Sequence, residues 1–177
     1  GGVVDFPSNQ EIFAAAESMS IGLGRGLTEK FGTLPPLVDY EAELGIILLT
    51  DITDKQLADG AFVPRLGFFI ANDVSSRSLQ ILGEGMQNRL AYWGMSKSFA
   101  GFLPMTKKIW IPDEHRANAI PCVTLQTRVN GEVRQKANTS EMLFSAAEIV
   151  ANISTWNTLQ PGDLIQCGTA SGVGLLN

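Results

Sequence analysis

Hydrophobic and polar residues alternate with a period of two in the run Asp39-Tyr40-Glu41-Ala42-Glu43-Leu44-Gly45-Ile46-Ile47-Leu48-Leu49. Tyr40, Ala42, Leu44, Ile46 and Leu48 fall on one face of an extended chain; Glu41, Glu43, Gly45, Ile47 and Leu49 fall on the other. This predicts a half-buried strand. A second apolar run, 66–72, predicts a strand ending at Asp73, with a helix from Ser75 toward Leu90. Segments 123–129 and 132–135 flank Asn130-Gly131, which predicts a hairpin with a type I′ turn. Thr139 or Ser140 then caps a helix expected over 141–156. Gln160-Pro161-Gly162-Asp163 reads as a turn before a short strand at 164–168, and a glycine-rich loop follows over 168–174. Its glycines allow backbone N–H groups to face an anion, though a plain turn fits equally.

Upstream, Ser8-Asn9-Gln10-Glu11 has capping-box spacing and predicts a helix through about Met19. Gly22-Leu23-Gly24-Arg25-Gly26 lacks a preceding strand and the dinucleotide-binding spacing, so it reads as a connector. Pro35-Pro36 divides a leader, 1–36, from the main domain, 37–177.

Composition narrows the function classes. The chain has 177 residues, 45% hydrophobic and 18% charged, which fits one globular domain with a sizeable core. A net charge of −5 argues against a nucleic-acid surface. Its apolar runs are too short or too broken to span a membrane, and no signal peptide is evident at the start. Cys122 and Cys167 lack metal-ligand spacing, so reduced thiols in a cytoplasmic protein are expected.

The candidate chemistry lies in three carboxylates and a lysine. Glu41 and Glu43 point the same way with Cα atoms about 6.5–7 Å apart at the usual strand rise. Burying two such charges unpaired costs several kcal/mol, roughly, and a divalent cation would remove that cost. Oxygen ligands suit Mg²⁺ or Mn²⁺. A solvated outer face fits two strand glutamates as well. Asp73 can join them or cap the following helix. Arg77 and Gln80 follow Asp73 at i+4 and i+7, setting a guanidinium and an amide beside the acids; a surface ion pair is the plainer alternative. Lys97, in Gly94-Met95-Ser96-Lys97-Ser98, reads alone as a surface lysine.

Taken in order, DYEAELGIIL, GFFIANDVSSRSLQ, GMSKSFAGFLP, TRVNGEVRQKANTSEM and TLQPGDLIQCGTASGVG resemble the successive signatures of the fumarylacetoacetate hydrolase family. The resemblance implies an α+β, β-rich mixed fold around a rolled sheet, assembled as a homodimer. It places Glu41, Glu43 and Asp73 at the metal-ligand positions, Mg²⁺ or Mn²⁺ being the usual ion. It places Arg77, Gln80 and Thr169 at the substrate and Lys97 at the catalytic lysine. The implied partner is a small keto or dioxo acid.

By resemblance, the first expectation is hydrolysis of a C–C bond in a 2,4-dioxo acid through a metal-stabilised enolate. The alternatives are decarboxylation or isomerisation of a keto acid, or an inactive acid-binding member. Hydrolysis needs a base to activate water, and hydrolases of the family carry a histidine on an N-terminal lid helix. The only histidine here is His115, in Trp110-Ile111-Pro112-Asp113-Glu114-His115, outside that region. Phe13 falls near the lid position, and Glu17 is a conceivable base that nothing in the sequence places at the site. Two other departures are Ala100, commonly Asp, and Ala170, commonly Pro. Relatives usually continue through further strands after the last motif, so a differently closed sheet, or one completed by a partner, is expected.

Overall fold

The computed structural model describes residues 37–52, 65–84, 87, 89–112 and 120–174. The expected leader helix, the glycine connector, Phe13, Glu17 and His115 lie outside the described residues.

The alternating run forms two strands rather than one, β1 (Val38–Asp39) and β2 (Ala42–Leu48). Beside β2 lies β3 (Leu66–Asn72), antiparallel, with Ala42 opposite Asn72 and Leu48 opposite Leu66. On its other side β2 pairs antiparallel with β7 (Leu164–Thr169), Ile46 facing Ile165. The order is β3-β2-β7. β1 pairs instead with β4 (Ser75–Ser76), and β5 (Thr124–Val129) pairs with β6 (Glu132–Asn138). Among the described residues these sheets stay separate, and the expected rolled sheet is not closed; the mixed α+β character stands. Phe68 and Trp110 exchange N–H and carbonyl bonds of 2.8 Å, so a passing segment covers part of the outer edge of β3.

The period of two has the expected consequence on one face. Leu44, Ile46 and Leu48 join Leu66, Phe68, Ile70 and Ile165 in the main core, closed by Ala146 and Val150 of a helix over Ala146–Ser154. On the opposite face the Phe69 ring lies against Gly45, directly across the ladder, where a Cβ would collide with it.

Several expectations are corrected. The segment after Asp73 is not yet helical, because Ser75 and Ser76 first pair with Asp39 and Val38. Asp73 therefore caps no helix. The helix expected from Ser75 to Leu90 is two, α1 (Arg77–Glu84) and α2 (Arg89–Lys97). Gly83-Glu84-Gly85 explains the break, since glycine disfavours a helix interior. Gly83 also lets Tyr92 of α2 approach closely. The helix expected from Glu141 is α3 (Ala146–Ser154), with a short 3₁₀ turn at Thr139–Glu141 before it. Ser145 is its N-cap and shares a capping box with Glu148, a Ser-x-x-Glu spacing visible in the sequence.

The two expected turns form. Asn130 and Gly131 have φ of 51° and 85°, both positive as a type I′ turn requires. Gly162, at φ 93°, closes the 160–163 turn with a 3.0 Å bond from Asp163 N–H to the Gln160 carbonyl. No helix of the described residues is long and apolar enough to cross a membrane.

A second cluster joins Val74, Leu79 and Phe102 with Val38, Leu82, Tyr92 and Phe99. It packs α1 and α2 against the β1–β4 pair, and so fixes the elements that carry Asp39, Arg77, Gln80 and Lys97.

Candidate active site

Glu41, Glu43 and Asp73 come together: one carboxylate oxygen from each lies within 4.8 Å of the others. β2 supplies Glu43, and Glu41 immediately precedes that strand. Asp73 follows β3, and its N–H donates to the Glu41 carbonyl at 2.8 Å, tying the two strand ends together. Glu41 is further fixed where its N–H meets the Asn72 side chain. Both glutamates are buried, whereas Asp73 is half-buried and opens the group toward solvent.

Lys97, at the end of α2, reaches this group. Its Nζ lies 2.8 Å from Glu41 Oε2 and 2.7 Å from Asp73 Oδ2. Arg77 stands behind the acids: its Nε, Nη1 and Nη2 donate to Asp39 Oδ2, Gln80 Oε1 and Glu41 Oε1 at 2.7, 2.8 and 2.7 Å. Gln80 Nε2 donates onward to Ser96 Oγ at 3.0 Å, the residue before Lys97. Arg77 and Gln80 are only 6% and 9% exposed, so in this arrangement they orient Glu41 and the lysine helix. Thr169 Oγ1 donates to the Ala42 carbonyl at 3.0 Å, beside Glu43.

Glu43 differs from its neighbours. It is 3% exposed and makes no ion pair with any described residue. Its Oε2 accepts from the Gly168 N–H at 2.8 Å. Burial, with added repulsion from Asp73 and Glu41, pushes its pKa up to about 7 despite that bond and the Lys97 charge. The N–H is aimed by a bulge: Glu43 faces Thr169 but Gly45 faces Gln166, so β7 carries one extra residue. Gly168 sits there at φ 90°, a conformation natural only to glycine. Glycine N–H groups of the late loop do face anions, namely the protein's own carboxylates, because Gly174 N–H also reaches Asp39 Oδ1 at 2.7 Å. Cys167 packs beside this acid; burial and then the Glu43 charge push its thiol up to about 12, leaving it protonated and unreactive at neutral pH.

The donor set fits a hard divalent cation. Four carboxylates, Asp39, Glu41, Glu43 and Asp73, gather around two cationic side chains, Arg77 and Lys97. Glu43 lacks an ion-pair partner among the described residues, and one oxygen each of Glu41, Glu43 and Asp73 converges there. The raised pKa has a measurable sign. Below pH 4.5 both folded and unfolded chains carry Glu43 protonated. Between 4.5 and about 7 the unfolded state loses that proton first. Relative to Glu43→Gln, the metal-free protein should therefore lose on the order of 3 kcal/mol of stability over this window and level off above it. Urea unfolding in chelator at stepped pH measures it; a flat difference contradicts the buried-acid assignment.

Asp39 and Ser75 join the site without being singled out in the sequence. Asp39 shares the two-residue spacing of Glu41 and Glu43, so the same alternation marks it. Ser75 Oγ donates to Glu41 Oε1 at 3.2 Å, a contact without a sequence signal of its own.

Comparison with known proteins adds the relatives. The fumarylacetoacetate (FAA) hydrolase C-terminal family profile matches residues 4–177. A mitochondrial oxaloacetate tautomerase of Bos taurus is 37% identical over 150 residues, covering 80% of this chain and 44% of its own. An oxaloacetate tautomerase of Bacillus subtilis is 30% identical over 181 residues, covering 98% and 54%. Among solved structures, a 5-carboxymethyl-2-hydroxymuconate delta-isomerase from Mycobacterium smegmatis aligns with a TM-score of 0.57 at 35% identity, covering 78% of this chain and 50% of that one. The chain spans about half the length of the curated relatives it matches.

Proposed function

The chain belongs to the fumarylacetoacetate hydrolase family, and we propose that its site interconverts the keto and enol forms of a small keto dicarboxylic acid of the oxaloacetate class. Glu41, Glu43 and Asp73 would hold Mg²⁺ or Mn²⁺. The observation that carries this reading is the Lys97 ammonium, held between Glu41 and Asp73 at the half-buried edge of the acid cluster. That is a cationic proton donor fixed where an enolate oxygen would lie.

Bound there, the ion would act as a Lewis acid toward the keto oxygen and hold adjacent substrate oxygens. The protein's own residues supply the remainder. Glu41 and Asp73 hold Lys97 aimed, while Arg77 and Gln80 keep Glu41 and α2 in place. Lys97 stabilises the enolate by donating to its oxygen. In ketonisation its Nζ gives a proton to carbon and then takes up the proton that the enol O–H gives up, so Lys97 ends as it began. The net change moves one proton from oxygen to carbon. Direct contact of Arg77, Gln80 and Thr169 with the acid, as the resemblance implies, requires them to exchange their present partners for a substrate oxygen.

Tautomerisation needs no activated water. The C–C hydrolysis expected first needs a base to activate one. The named tautomerase and isomerase relatives support the same order. On the names of those relatives, hydrolysis of a dioxo acid and decarboxylation rank below isomerisation. A homodimer is part of the proposal, supported by the exposed apolar side chains Leu143, Phe144 and Trp156.

Oxaloacetate and acetylpyruvate tested side by side, with Mg²⁺, with Mn²⁺ and with chelator, separate the readings. We expect metal-dependent acceleration of oxaloacetate keto–enol exchange, without acetate from acetylpyruvate. Acetate release would restore the hydrolase reading, CO₂ release the decarboxylase, and saturable binding without turnover the inactive member.

A further inference from the structure

We propose that Gln135, on β6 of the hairpin, is a positioning residue for the acid pair; this rests on the metal and keto-acid reading of the site. The side chain is 2% exposed, and its amide uses all four of its hydrogen-bonding capacities. Oε1 accepts from the Ala42 N–H at 3.0 Å and from Thr127 Oγ1 at 2.8 Å. Nε2 donates to Thr169 Oγ1 at 2.8 Å and to the Ala170 carbonyl at 2.9 Å.

Two of these contacts bear on the chemistry. Ala42 is the residue between Glu41 and Glu43, so fixing its N–H fixes the hinge of the ligand pair. Thr169 follows Gly168, whose N–H holds Glu43. Thr169 then donates back to the Ala42 carbonyl. Ala42 N–H, the Gln135 amide, the Thr169 hydroxyl and the Ala42 carbonyl thus form a closed ring around the peptide that joins the two glutamates. Through that ring the hairpin sets both the spacing of the carboxylates and the aim of the bulge N–H. Gln135 hydrogen-bonds no carboxylate among the described residues; it acts on the metal ligands as outer partners do, by orienting them. The Thr127 contact, in contrast, faces only the hairpin and supplies a control.

The test uses the full chain as Gln135→Met, Gln135→Glu and Thr127→Val, with Mn²⁺ titration by calorimetry and amide hydrogen exchange in chelator. Gln135→Met keeps the volume and removes all four bonds; we expect Mn²⁺ affinity to fall about 10- to 100-fold. We expect Gly168 exchange to rise about tenfold relative to core amides of β2. Thr127→Val should lose thermal stability yet keep Mn²⁺ affinity within about twofold, because it leaves the ring intact. Where Gln135→Met fails to fold, Gln135→Glu decides: it keeps an acceptor for Ala42 and loses the donor to Thr169 and Ala170. Unchanged affinity and unchanged Gly168 exchange in the folded Gln135 variants would overturn the proposal. A wild type that binds no Mn²⁺ would sink the metal reading instead, and the Gly168 exchange comparison would still judge Gln135.

Discussion

Glu43→Gln should abolish saturable Mg²⁺ and Mn²⁺ binding and cut metal-dependent turnover about a thousandfold or more. The same variant should leave the fold intact and the metal-free protein at least as stable as wild type at pH 8. Both halves follow from the position of the side chain. Glu43 is buried on β2 without an ion-pair partner among the described residues, and burial raises its pKa to about 7, so the metal-free protein tolerates the charge there poorly. Glutamine preserves the shape and an oxygen for the Gly168 N–H while removing the charge that draws the cation. Calorimetric titration and chemical unfolding of the two proteins measure the pair of effects. Unchanged metal affinity in Glu43→Gln would refute the ligand assignment outright.

Lys97→Ala should separate binding from chemistry. We expect turnover to fall about 10²- to 10³-fold, the loss typical of removing one donor aimed at a developing oxyanion. Metal affinity should be retained or tightened. The ammonium lies 2.8 and 2.7 Å from oxygens of Glu41 and Asp73, so it competes with a cation for two of the three ligands. Removing it frees both oxygens and a like charge. Glu41 keeps its Arg77 partner at 2.7 Å and the Ser75 hydroxyl, so the remaining acids stay ordered. Steady-state kinetics beside a Mn²⁺ titration gives both numbers. Lost metal binding would make Lys97 a structural clamp, and undiminished turnover would remove it from the chemistry.

Much of this site is legible in the sequence, because a strand's period of two is rigid. Once 42–48 is extended, Glu43 must face away from Leu44, and the apolar positions Leu44, Ile46 and Leu48 do form the core. The type I′ turn was equally legible, since Asn-Gly accepts positive φ at both positions at little cost. The helix after Asp73 was misplaced because local capping chemistry competes with pairing. Asp73 ahead of Ser75 and Ser76 makes a good cap in isolation, but β1 is near enough to take the two serines as a strand. Likewise Ser145, with Glu148 three residues on, was a better cap than Thr139, whose hydroxyl instead accepts from the Val123 N–H and closes a loop. Gln135 was visible only as a letter within a motif. Its four partners come from β2, β5, the end of β7 and the loop beyond, and sequence spacing holds no record of such distant contacts. The extra residue in β7 escaped for the same reason, although Gly168 marks it in retrospect.

The most direct test of the account is a Mg²⁺ titration of the wild-type chain at pH 7, in two buffers of different ionisation heat. With the Glu43 pKa raised to about 7, the account predicts one ion per chain and net proton release on binding. No saturable binding would contradict the claim that Glu41, Glu43 and Asp73 form the cation site on which the chemistry depends.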